Sequence, residues 1–68
     1  MNATVNGEDR TMPAGATVAD VAATLGVDPD ARGVAVALDG EVVPRGSWDT
    51  TRLHDGAVVE VVAAIQGG

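Results

Sequence analysis

The chain has 68 residues, a length that allows one small domain and leaves no room for the walls of a deep catalytic cleft. Hydrophobic residues make up 46% of it and charged residues 21%, which is typical of a globular domain. Ten acidic residues stand against four arginines and no lysine, and the net charge of −6 argues against nucleic acid or an anionic membrane as a partner. Cysteine is absent, which excludes disulfides, thiolate metal sites and cysteine nucleophiles.

The N-terminal residues 1–4 contain no basic residue and no apolar run, so we expect no signal peptide and a cytoplasmic location. The longest apolar-rich stretch, residues 57–65, is too short to cross a bilayer and contains Glu60. We therefore expect no membrane segment.

The first third of the chain has the pattern of a β-hairpin. Residues 1–5 alternate between apolar and polar, which predicts a half-buried strand. Asn6-Gly7 predicts a tight turn because both residues tolerate positive φ. The returning strand is expected over about residues 8–12, ended by Pro13.

A helix is predicted next. Thr17 is placed to cap its N-terminus, with Asp20 in the capping-box position and Gly26 where a left-handed residue ends a helix. The apolar residues between these caps fall on one helical face: Val18, Val21, Ala22 and Leu25.

Three strands are predicted in the second half. The apolar run 34–38 is expected to be a buried strand, and Asp39-Gly40 turns the chain into a strand over 41–43. Residues 45–54 show no period and predict a loop with a short helical turn. After a turn at residues 55–56, residues 57–64 are rich in β-branched residues and form the best strand candidate.

The resulting order, β-β-α-β-β-β, predicts an α+β domain in which one mixed sheet packs on one helix. The strands on either side of the helix are expected to pair in parallel through a right-handed crossover, with the last strand at the centre of the sheet. This is the β-grasp, or ubiquitin-like, fold. We expect it to span residues 1–65, followed by a flexible tail at 66–68.

The last strand predicts a possible docking surface for a partner. If its odd-numbered residues face the helix, then Val58, Glu60 and Val62 face outward, where no second layer of chain remains to cover them. Both sets of alternate residues are mostly apolar, however, so a register shifted by one position fits the sequence as well.

Catalytic and metal-binding patterns are absent from the sequence, and we expect no catalytic residue and no metal site. His54 adjoins Asp55 at a turn and is interpreted as a surface residue rather than half of a general-base pair. Trp48, the one aromatic residue, is expected to fill the core rather than to anchor an interface. Arg45 has two open interpretations, a pair with an acid of a partner or with Asp49.

The sequence ends in Gln66-Gly67-Gly68, directly after the predicted central strand. Two glycines carry no side chains that obstruct a narrow channel, so such a tail can place its carboxylate in another protein's active site. That carboxylate is ionised at neutral pH, because its reference pKa is about 3.3–3.7. The alternative is a frayed end that happens to be Gly-Gly.

The whole chain resembles a known family in its motifs. They are the opening strand with Asn6-Gly7, the block VALDGEVVPR at residues 36–45, Trp48-Asp49, Asp55-Gly56 and the ending 61–68. These motifs resemble ThiS, the sulfur carriers of bacterial thiamine biosynthesis, within the ThiS/MoaD ubiquitin-like family. The family usually has Asn where this chain has Asp39, and either residue suits a turn before Gly40.

The resemblance implies a carrier and not an enzyme. An E1-like adenylyltransferase resembling ThiF is expected to use ATP and Mg²⁺ to adenylate the Gly68 carboxylate, with Gln66 and Gly67 threading its active site. Sulfur from a donor such as a cysteine desulfurase then displaces AMP and leaves a thiocarboxylate on Gly68. A ThiG-like thiazole synthase takes that sulfur into the thiazole ring. The carrier itself is expected to bind no cofactor.

Three other functions remain open. The small subunit of molybdopterin synthase shares the fold and the Gly-Gly chemistry, but it tends to be longer and to carry aromatic residues in its first strand. Carriers that supply sulfur to cysteine or other metabolites differ mainly in their partner surface. A ubiquitin-like modifier is disfavoured as a polymeric tag, because this chain has no lysine for self-linkage.

Overall fold

The computed structural model of the chain describes residues 1–28 and 32–63. Its elements are β1 (Asn2–Val5), β2 (Glu8–Thr11), α1 (Val18–Thr24), β3 (Val34–Leu38), β4 (Glu41–Val43), a 3-10 turn (Arg45–Ser47) and β5 (Ala57–Ala63). The predicted order is confirmed, including the short helical turn in the long connection before the last strand. Strand β2 ends one residue earlier than predicted, and Ala64 lies outside the described residues.

Both predicted hairpin turns are present. Asn6 and Gly7 have φ values of 50° and 82°, and Asp39 and Gly40 have values of 51° and 86°. Positive φ at both central residues matches the right-handed twist of the strands that the turn connects, and Asn, Asp and Gly tolerate it better than other residues. The turn chemistry therefore fixes the register of β1 with β2 and of β3 with β4.

The five described strands form one sheet in the order β2-β1-β5-β3-β4, with β5 at the centre as predicted. The pairs β1–β2, β3–β4 and β3–β5 are antiparallel, and β1–β5 is parallel. The prediction that the two strands flanking the helix pair with each other is wrong. Strands β2 and β3 run in the same direction, but β1 and β5 lie between them. Strand β2 pairs with β1 through their hairpin, and β3 pairs with β5 and β4.

Helix α1 begins with the predicted capping box. The Thr17 hydroxyl accepts from the Asp20 N–H, and the Asp20 carboxylate accepts from the Thr17 N–H at 2.8 Å. The next two donors of the first turn, the N–H groups of Val18 and Ala19, reach carbonyls of residues 51 and 48 at 2.9 Å each. The helix is thereby hydrogen-bonded to the long connection before β5, and Gly26 follows its end with φ of 75°.

The core lies between the helix and one face of the sheet. Among the residues that the structure describes, it contains twelve buried apolar residues: Ala3, Val5, Met12, Ala16, Val18, Val21, Ala22, Val36, Trp48, Leu53, Ala57 and Val59. Trp48 is buried, and its Nε1–H donates to the Val43 carbonyl at 2.9 Å, which confirms its predicted core position.

The other face of the sheet has no second layer among the described residues. The prediction that β3 is a buried strand is therefore wrong for one side of the strand. Val36 is buried, but Ala35 is exposed because it points away from the helix. The uncovered face also shows which alternate residues of β5 face the helix, a question that the sequence left open. Ala57 and Val59 are fully buried, whereas Val58, Glu60 and Val62 are exposed.

Candidate functional site

The surface of greatest functional interest is the outer apolar face, defined here as Ala35, Val42, Val58, Glu60 and Val62. Three of its valines are the large hydrophobic side chains that the described part of the chain leaves exposed, with exposed fractions of 72% for Val42, 44% for Val58 and 61% for Val62. Of these, Val42 was missed by sequence reasoning. Its position follows from the register of β3 with β4, in which Val42 lies opposite Ala37, and the short sequence 41–43 does not reveal that register.

The strand register places these residues in rows across the sheet. Val62 lies opposite Ala35 on β3. One row further, Ala37 lies between Glu60 on β5 and Val42 on β4. Neighbouring strands are about 4.8 Å apart, so the side chains of one row are in reach of each other and form one continuous patch.

The electrostatic character of this side of the sheet is acidic. Among the outward-facing positions of the five strands, the charged residues are Glu60 and Asp9, and Asp9 accepts from the Thr4 hydroxyl at 3.2 Å. The strand arginine, Arg10, lies opposite buried Ala3 and so projects on the helix side. Glu60 lies on the central strand between Val58 and Val62, so its carboxylate stands among the exposed apolar side chains and not at their edge.

The path of β5 connects this face to the predicted reactive end. Strand β1 pairs with β5 only as far as Val59, whereas β3 remains paired with β5 to Ala63. Beyond Val59 the β1 side of β5 is held by Asn6, whose side-chain oxygen accepts from the Val61 N–H at 2.8 Å. The predicted tail residues Gln66, Gly67 and Gly68 lie outside the described residues.

His54 lies at a turn and is exposed, as predicted, but its partner is not the neighbouring carboxylate. Its Nε2 is 2.6 Å from Oδ2 of Asp39, and its Nδ1 is 2.9 Å from the backbone oxygen of Asp55. The hydrogen bond with Asp39, then the one with the Asp55 carbonyl, raise the pKa of His54 above its ordinary value. The Asp39 pKa is lowered, first by the N–H of Val58 and then by His54.

Arg45 packs over Trp48, with its Cζ 4.3 Å from the centroid of the indole ring. This contact was not among the two interpretations that the sequence left open for Arg45. Within residues 1–28 and 32–63, no group of three or more His, Asp or Glu side chains is placed to hold a metal ion. The described part of the chain has no helix long and apolar enough to cross a membrane.

The sheet order, the single helix and the central last strand together define a β-grasp domain of the ubiquitin-like class. The ThiS family model matches residues 3–68, and the chain belongs to the ThiS family. Members of the ThiS family are small sulfur carrier proteins and not enzymes.

Individual relatives agree with this assignment. The crystal structure of a thiamine biosynthesis protein (ThiS) from Geobacter metallireducens is 37% identical with a TM-score of 0.79, and the match covers all of both chains. A solution NMR structure of a thiamine biosynthesis protein from the same organism is also 37% identical, with a TM-score of 0.77, and covers all of this chain and 88% of that one. A thiazole synthase of Paramagnetospirillum magneticum is 41% identical over 68 residues, and the chain spans 20% of its length.

Proposed function

We propose that this protein carries sulfur for thiamine biosynthesis as a thiocarboxylate on Gly68. The observation that carries the proposal is that Gln66-Gly67-Gly68 is separated by two residues from the end of β5, the central strand of a ThiS-family domain. Strand β3 stays paired with β5 as far as Ala63, so the residues that follow start from a fixed point. Two similar solved structures are described as thiamine biosynthesis proteins, which supports this pathway.

The chemistry belongs to the tail and the partners. In the first step a carboxylate oxygen of Gly68 attacks the α-phosphorus of ATP, which a ThiF-like partner binds with Mg²⁺, and pyrophosphate leaves. In the second step a hydrosulfide equivalent attacks the carbonyl carbon, the bond to AMP breaks, and the thiocarboxylate remains. If the donor is a desulfurase persulfide, a thiol is also required to reduce the disulfide that forms first. Glycine suits this role because its carbonyl is unhindered by a Cβ.

Thiazole synthase is the proposed recipient of the sulfur. The relative that bears this name contains a stretch 41% identical to the whole chain within a protein about five times longer. A stretch similar to this chain within a protein named thiazole synthase supports an association between the carrier and a thiazole synthase.

The outer apolar face is proposed as the docking surface for these partners, centred on Val58, Glu60 and Val62 and extended by Val42. The proposal rests on two facts: the three valines are exposed together on one side of the sheet, and the same side carries carboxylates. An exposed apolar patch on so small a domain is a recurrent feature of protein–protein interfaces.

The proposal is tested by ATP–pyrophosphate exchange with the ThiF-like enzyme of the source organism. We expect exchange to depend on the full chain and to be lost when Gly68 is deleted, while the circular dichroism spectrum stays the same. Retained exchange without Gly68 contradicts chemistry at this residue. Capture of thiazole synthase by the immobilised carrier, rather than of the large molybdopterin synthase subunit, decides between the two pathways.

A further inference from the structure

The side chain of Asn6 makes a contact with β5 that its role in a hairpin turn does not require. The turn needs only its positive φ of 50°, which Gly also adopts. The backbone N–H of Asn6 donates to the Val59 carbonyl at 3.0 Å, and its side-chain oxygen accepts from the Val61 N–H at 2.8 Å. The residue thus holds β5 at two successive positions.

This contact lies where β5 loses its neighbour on one side. The parallel pairing with β1 runs through Ala57, Val58 and Val59 and stops there, because β1 turns away after Val5. The Val61 N–H would otherwise face the open end of β1. The Asn6 carboxamide replaces the missing strand for one more hydrogen bond, two residues nearer to Gly68 than the last pair with β1.

The second hairpin contains an almost equivalent residue, which serves as a natural comparison. Asp39 occupies the same turn position, with φ of 51°. Its N–H donates to the Val58 carbonyl at 2.8 Å, and its side-chain oxygen accepts from the Val58 N–H at 3.0 Å. It therefore fixes the beginning of β5, one residue beyond the last pair with β3, and not the part that leads to Gly68.

We propose that Asn6 is a positioning residue for the Gly68 carboxylate: its side chain, by holding Val61, sets the direction in which β5 delivers the tail to a partner's active site. The inference rests on the proposed function. A carrier bound to its activating enzyme reacts only in those complexes whose carboxylate lies in line with the α-phosphorus. Asn6 raises that fraction without itself touching the reacting atoms, so its loss lowers kcat and leaves KM unchanged.

Three full-length variants test this. N6G keeps the positive φ of the turn and removes the side-chain acceptor, and N6D keeps an acceptor in the same place. D39G is the control at the other hairpin, since it also exchanges a turn residue for glycine and removes a side-chain hydrogen bond to β5, together with the contact to His54. Each variant is assayed by ATP–pyrophosphate exchange with the carrier as the varied substrate, and amide hydrogen exchange at Val61 and Val58 verifies which contact is lost.

We expect N6G to lower kcat by about tenfold with KM unchanged, N6D to restore it, and D39G to keep kcat within about twofold of the original protein. Val61 exchange should accelerate in N6G alone. The inference is overturned if N6G keeps its kcat although Val61 exchanges faster, if its effect falls on KM, or if N6G and D39G lower kcat equally. Absence of exchange activity in the unaltered carrier overturns the proposed function instead, and the inference falls with it.

Discussion

His54 and Asp39, 15 residues apart in the chain, meet at 2.6 Å between Nε2 and Oδ2 and join the β3–β4 turn to the residues before β5. The Asp55 carbonyl can only accept, so Nδ1–H donates to it, and the Nε2–H then faces a carboxylate. Neutral imidazole has one N–H, whereas this arrangement uses two. The geometry therefore selects the charged imidazolium form of His54.

This pair makes stability depend on pH in a defined window. The pKa of His54 is raised from 6.5, so its contribution is complete below pH 6.5 and is lost as pH rises through the higher folded-state pKa. The pKa of Asp39 is lowered from 3.8, so its contribution is complete above pH 3.8 and is lost as pH falls through the lower folded-state pKa. The pair is thus fully effective between these two values.

An NMR titration of the His54 ring protons measures this directly, because the chain has no other histidine. We expect a midpoint above 6.5 that D39N moves downward and that added salt also lowers, since both groups are exposed. A midpoint at or below 6.5 that is insensitive to D39N contradicts the ion pair.

The capping box of α1 predicts a measurable loss of stability in T17A. The helix has seven residues, so an unpaired N-terminal donor is a large fraction of its hydrogen bonds. We expect T17A to lower the free energy of unfolding by about 1 kcal/mol in chemical denaturation. T17S, which keeps the hydroxyl, serves as the control and should lose less. Equal stability of T17A and the unaltered protein would show that the cap is not needed.

Trp48 predicts a graded response to truncation. W48F keeps most of the buried ring but loses the hydrogen bond to the Val43 carbonyl, and we expect a cost of about 1 kcal/mol for that bond alone. W48A removes the ring and should cost about 3–5 kcal/mol. That loss is comparable with the whole stability of a domain of this size, so W48A should fail to fold. A cooperative thermal transition in W48A contradicts the core assignment.

The outer apolar face predicts a separation of docking from chemistry. V62R replaces an exposed apolar side chain of this face with a charged one, and we expect KM for adenylation to rise about tenfold with kcat unchanged. The control A14R adds the same charge in the connection between β2 and α1, where Ala14 is exposed. Equal KM values for V62R and A14R would remove this face from the docking surface.

Most of the fold could be predicted from patterns of residues that are close together in the chain. The Asn6-Gly7 and Asp39-Gly40 turns and the Thr17 cap depend on residues adjacent in the chain, and each was predictable from the local chemistry. The register of β5 was not, because both sets of alternate residues are apolar and only the position of the helix distinguishes them. Ala35 was misjudged for the same reason: an apolar run does not reveal that one side of its strand is uncovered.

The contacts made by side chains of the turns were beyond sequence reasoning. That Asn6 reaches Val61 and that Asp39 reaches His54 follows from the sheet order, which brings distant segments beside β5. A polar residue with positive φ at the end of a strand is a signal for such a contact, but the sequence does not say which strand it meets. The chemistry of the tail and the family resemblance predict Gly68 as the reactive residue, whereas Asn6 is suggested by the structure alone.

The most direct test of the central claim is the intact mass of the carrier after incubation with ATP, Mg²⁺, the ThiF-like enzyme and a sulfur donor. We expect one oxygen to be replaced by one sulfur, located in the C-terminal fragment by tandem mass spectrometry and absent when Gly68 is deleted. An unchanged mass, in a reaction where the enzyme demonstrably consumes ATP with this carrier, would contradict the claim that Gly68 carries sulfur.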